Sequence, residues 1–127
     1  MYNIILIITY IFALNNLNMS LENTQAQMRK GILEFCILSI IEKKEVYPSE
    51  ILEQLKGAKL IVVEGTLYPL LTRLKNLELL AYRWEESNSG PPRKYFHLTP
   101  TGKVFLKELK KTWIELNGAI SLIIEKK

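Results

Sequence analysis

Three stretches with helical spacing come first along the chain. A pair of aromatic-rich stretches follows, alternating with period two about a Gly/Pro turn, and one long amphipathic stretch closes the sequence. That order predicts a mainly α fold with a small β-hairpin, namely a winged helix-turn-helix with a long C-terminal dimerisation helix. The 127 residues, 48% of them hydrophobic, suffice for one domain whose core needs no disulfide or metal.

The first helix is expected from Thr24 to Ile41. Met28, Ile32, Phe35 and Ser39 keep helical spacing, while Leu33, Cys36, Ile37, Leu38, Ile40 and Ile41 make the second half apolar nearly all round, as in a central core helix. EKKEVYPSE then breaks the pattern. Pro48 or Ser49 opens a second short helix through Leu55, with Ile51, Leu52 and Leu55 inward and Gly57 as its stop. KLIVV, residues 59–63, is too short for periodicity to choose between a strand and an apolar approach to the next helix.

The third helix is expected from about Gly65 to Leu79. Leu67, Leu70, Leu71, Leu74 and Leu77 form its inward stripe; Gly65, Pro69, Thr72 and Asn76 lie opposite, flanked by Thr66, Tyr68, Arg73 and Lys75. AYRWEES and RKYFHLT alternate as strands, and NSGPP between them is turn chemistry. Thr99 reads as the cap of the last helix and Pro100 as its first residue. Phe105, Leu109, Trp113, Leu116, Ile120 and Ile123 then recur every three or four positions.

Residues 1–18 stand apart. They carry no charge, and the apolar run from Ile4 to Leu14 is too short to span a bilayer comfortably. A secretory signal would need a basic start, yet Arg29 is the first Lys or Arg. The segment reads as an apolar appendage from a mis-assigned upstream start, so that Met19 opens the winged helix-turn-helix domain at 19–98, followed by the dimerisation helix at 99–127. A membrane tether is the third and least favoured reading. The lone Cys36 lies among apolar neighbours and reads as a reduced core thiol, which points to the cytoplasm.

A net charge of +4 permits an anionic partner without requiring one. The distribution of groups says more. A helix that enters a major groove needs an uncluttered N-terminal half, which Gly65, Thr66 and Pro69 supply. Thr66 and Tyr68 can donate hydroxyl hydrogen bonds to phosphate, and Thr72, Arg73 and Asn76 can reach base edges or phosphates. The helix has no net charge, because Glu64 and Glu78 cancel Arg73 and Lys75. Cations must come from the hairpin: Arg93 and Lys94 follow a tip stiffened by Gly90, Pro91 and Pro92, with Arg83 across from them.

EGTLYPLLTRLKNLELL, SNSGPPRKYFHLTPTGK and GILEFCILSII together resemble the PadR family of bacterial transcriptional regulators, over about Gln27 to Lys103. The resemblance implies a dimer that binds operator DNA through the third helix and wing, with Gly65, Thr66, Leu67, Tyr68, Pro69 and Arg73, then Gly90, Pro92, Arg93 and Lys94, at the matching positions. It also implies pairing through the last helix and the first. The family's glycine near the end of the third helix is replaced by Glu78, which puts the exit of that helix in question.

The apolar stripe on the last helix exceeds what one small domain covers at its edge, which independently suggests an interface. Trp113 has two readings: a packed interface residue, or a platform on which a small planar aromatic effector stacks, as in some relatives. An enzyme is not expected. His97 is the only histidine, and no metal-ligand spacing, phosphate-binding loop or nucleophile motif is present. The expected function is a sequence-specific regulator, a repressor on a pseudo-palindromic operator, with double-stranded DNA and a second copy as partners, no cofactor and no membrane. A winged-helix protein-interaction module without DNA affinity is the alternative.

Overall fold

The computed structural model describes residues 3–125, in the order α1 (Asn3–Lys43), α2 (Pro48–Gly57), α3 (Glu64–Asn76), β1 (Leu80–Ser87), β2 (Gly90–Leu98) and α4 (Pro100–Glu125). The chain divides within α1 into one unit up to Leu33 and a second from Glu34 onward.

In the first unit, α1 begins far ahead of the expected Thr24 and runs unbroken through the Ile4–Leu14 stretch. Ile5, Phe12 and Leu17 are exposed along it. By length and composition alone α1 could cross a membrane: an 18-residue window has mean hydropathy 1.7, with none of it buried.

In the second unit the core is aliphatic. Ile37, Leu38 and Ile41 of α1, Ile51 and Leu55 of α2, Leu67, Leu71 and Leu74 of α3, Phe96 and Leu98 of β2, and Leu106 of α4 are all buried. Leu70 is only half-buried, and Leu77 is exposed because α3 ends at Asn76 and the expected stripe loses its helical register there. KLIVV forms neither strand nor helix.

Two helix ends follow one rule that the sequence conceals. Leu77 closes α3, Glu78 takes the left-handed conformation with φ 63°, and the chain turns out. Leu79 N–H then donates to the Leu74 carbonyl at 3.0 Å and Glu78 N–H to the Lys75 carbonyl at 2.9 Å, satisfying carbonyls the helix leaves open. Lys59, with φ 65°, does the same after α2, where Leu60 N–H reaches the Leu55 carbonyl at 2.8 Å. Gly57 is therefore the last helical residue of α2 and not its left-handed stop. Glu78 holds the left-handed exit that the resemblance assigns to glycine, at a conformational cost of about 1 kcal/mol.

That exit sets the position of α4. Thr99 N–H donates to the Leu79 carbonyl at 3.1 Å, and its hydroxyl donates to the Glu78 carbonyl at 2.6 Å while accepting from Gly102 N–H at 2.9 Å. Thr99 thus caps α4 as expected and pins it to the end of α3.

β1 and β2 pair antiparallel, Leu80 opposite Leu98, Tyr82 opposite Phe96 and Trp84 opposite Lys94. The turn proper is Asn88–Ser89, and Pro91 and Pro92 fall inside β2, where the register shifts between Glu85 and Ser87. Proline has no N–H for the ladder, so the pair sits where pairing is interrupted. Val46 adds a one-residue bridge to Phe96, donating at 3.1 Å and accepting at 2.9 Å.

Candidate nucleic-acid interface

Gly65, Thr66, Tyr68, Pro69, Thr72, Arg73 and Asn76 are all exposed on α3. No side chain caps its N-terminus, and Pro69, the sixth helical residue, withholds the N–H that would normally bond the Gly65 carbonyl. The surface is small, polar and open.

A cleft of about 430 Å³ joins α3 to the hairpin. Tyr68 of α3, Trp84 of β1, Pro92, Arg93 and Lys94 of β2, and Tyr47, Pro48 and Ser49 at the start of α2 line it. Gly65, Thr66, Pro69, Thr72, Arg73 and Asn76 lie outside the cleft on α3, and Gly90 and Pro91 lie beyond it on the hairpin.

The cations of the hairpin are held by aromatic rings. Lys94 Nζ is 4.5 Å from the Tyr82 ring centroid and 5.3 Å from that of Trp84, and the Arg93 guanidinium is 5.2 Å from the Tyr47 ring. Such contacts fix a long side chain while leaving its charge unneutralised. Tyr47 in turn packs on Tyr95, centroids 3.9 Å apart, and the Tyr95 hydroxyl is pushed up to about 12 by its hydrogen bond with Tyr47 and by burial.

Two arginines assigned to an anionic partner are otherwise engaged. Arg83 donates to Glu45 at 2.8 Å and to Glu85 at 2.9 Å, and lies over the Tyr95 ring, so it buttresses the hairpin and brings no free charge. Arg73 donates to Glu34 of α1. Its charge is offset in the free protein, which leaves Arg93 and Lys94 as the cations of the cleft.

The sequence gives Tyr47, Ser49 and Trp84 no place beside α3 and the hairpin cations, which the cleft shows. Tyr47 and Ser49 precede or open a helix over thirty residues from the hairpin, and only the fold joins them to it. Trp84 carried a signal, a large aromatic at an alternating strand position, which strand packing equally explains.

On α4, Phe105, Trp113, Leu116, Ile120 and Ile123 are exposed and Leu109 is half-buried. Trp113 rests against Phe35 of α1 with centroids 6.3 Å apart, and Lys110 donates to Glu42 at 2.8 Å.

The model of the PadR-like transcriptional regulator family matches residues 37–108. A PadR-like transcription factor structure from Bacteroides fragilis is 57% identical, covering 80% of this chain and 98% of that one with a TM-score of 0.69. A PadR-like regulator from Bacillus cereus is 37% identical, covering 80% and 99%, with a TM-score of 0.71. PadR of Bacillus subtilis, solved in complex with operator DNA, shares the fold at 23% identity over 61% of this chain and 46% of that one, TM-score 0.57.

Proposed function

Because this chain belongs to the PadR-like family of transcriptional regulators, we propose that it is a repressor that binds a pseudo-palindromic operator as a homodimer. The single observation that carries the reading is the cleft that Tyr68 of α3 shares with Arg93 and Lys94 of the hairpin. A helix seated in a major groove and a cationic wing beside it must meet the same duplex from one side, and the shared cleft supports that reading.

In this reading Thr66, Tyr68, Arg93 and Lys94 hold phosphates, and Gly65 and Pro69 give α3 its clearance. Thr72 and Asn76 read base edges, and Arg73 joins them on leaving Glu34; Asn88 and Ser89 form the wing tip, with Gly90, Pro91 and Pro92 on the strand that leads from it to Arg93. Residues 19–98 are the DNA-binding domain, and the segment 99–127, which holds α4, mediates dimerisation. The row of exposed Phe105, Trp113, Leu116, Ile120 and Ile123 with half-buried Leu109 supports a second copy as its cover, which would set two α3 helices about one DNA turn, ~34 Å, apart. A planar aromatic effector on Trp113 is the alternative occupant there; a panel of such compounds that leaves indole emission unquenched rules it out.

The regulator acts in the cytoplasm without a membrane. Asn15, Asn16 and Asn18 interrupt the uncharged part of α1, and each amide would cost about 1–3 kcal/mol or more in hydrocarbon.

Selection of bound fragments from random-sequence DNA, followed by titration of salt, tests the function. Binding should weaken steeply with salt; Arg93→Ala should weaken every sequence, and Thr72→Ala or Asn76→Ala should change sequence preference. A chain that selects no fragment at low salt is the interaction module instead.

A further inference from the structure

We propose that Trp84 is a direct, non-ionic DNA contact of the wing, an inference that rests on the DNA-binding reading above. The hairpin's inward row runs Leu80 and Leu98, then Tyr82 and Phe96, then Trp84 and Lys94. Phe96 is 5% exposed, whereas Trp84, one pair further out, is 60% exposed. The row leaves the core at that step, and a polar residue would ordinarily follow. A tryptophan stands there instead.

Its ring is held in place. Tyr82 meets it edge-on, centroids 5.9 Å apart at 86°, and Lys94 lies over it. Little conformational freedom is left to lose on binding, a property shared by interface hot-spot aromatics. Tyr68 of α3 and Arg93 line the same cleft. A strand that passes between α3 and the wing meets hydroxyl and cations at its phosphates, and the indole gives it a flat apolar face for deoxyribose and one N–H donor for a phosphate oxygen. Cations contribute a term that salt removes; the indole contributes one that salt leaves.

Affinity for the selected fragments, measured over a salt series, separates the two. Trp84→Ala should weaken binding about tenfold at every salt concentration with the slope unchanged, while Lys94→Ala should lower the slope by about one. Trp84→Phe keeps a ring under Lys94 and should lose part of the affinity, again without a slope change. DNA should also alter the indole emission of the wild-type chain and do so far less in Trp84→Phe. Thermal melts of both variants, near the wild type for so exposed a site, guard against misfolding. Wild-type affinity in Trp84→Ala overturns the proposal, as does a loss confined to a Lys94-like drop in slope, which would make Trp84 only a positioning residue for Lys94. A wild-type chain that binds no fragment refutes the DNA-binding reading itself.

Discussion

Gly102→Ala and Gly118→Ala place the same substitution in the same helix and should have opposite signs. A Cβ on Gly102 would lie 2.1 Å from the Leu79 carbonyl oxygen and 3.0 Å from its carbon, whereas one on Gly118 meets nothing within 4 Å. The Leu79 contact is backbone and no rotamer can relieve it. The start of α4 must retreat by roughly 1 Å, which strains the Thr99 bonds to Leu79 and Glu78 and the cap to Gly102. Overpacking costs about 1–3 kcal/mol and each hydrogen bond lost about 1, against a gain of about 1 from alanine's helix preference. Gly102→Ala should therefore destabilise by about 2–4 kcal/mol, a fall in Tm on the order of 10–20 °C for a unit of this size. Gly118→Ala should stabilise by about 0.5–1 kcal/mol. Melts followed by circular dichroism at equal protein concentration measure both. A Gly102→Ala chain as stable as the wild type would refute the account of how α4 is anchored.

Three more tests follow from the same geometry. Glu78→Gly relieves the left-handed strain at φ 63° and should raise stability by up to about 1 kcal/mol in urea unfolding, with the wing unmoved. Glu34→Gln frees Arg73 and should tighten DNA binding at low salt and steepen its salt dependence, read by anisotropy titration. Burial pushes the Cys36 thiol up, so less of it is thiolate in the folded chain than in the unfolded chain. Native alkylation near neutral pH should be slower than after denaturation, and the stability Cys36 contributes should be complete below the ordinary thiol pKa and fade as pH rises through the higher folded value.

Spacing was enough to locate most core side chains, because burial in a helix follows a local period: Ile37, Ile41, Ile51, Leu55, Leu67, Leu71 and Leu74 fall where apolar stripes require. Capping chemistry gave Thr99 and Pro100, and GTLYPLL with the GPPRKY run pointed to α3 and the hairpin. These are short-range properties, written in neighbouring residues.

Other features depended on atoms far apart in sequence. Arg73 and Arg83 look alike to Arg93 along the chain, yet Glu34, Glu45 and Glu85 engage the first two while Tyr47 holds the third. Pro91 and Pro92 read as a tip and lie in a strand, since the register of β1 against β2 decides where the turn falls. Glu78 and Lys59 adopt a conformation their side chains disfavour because the path to the next element requires it. Local composition thus determined which elements form and which faces they bury. Only the packed chain decided which charges stay unpaired and which rings converge on one cleft, because ion pairing and cation–π contact depend on distance in space, which the sequence does not carry.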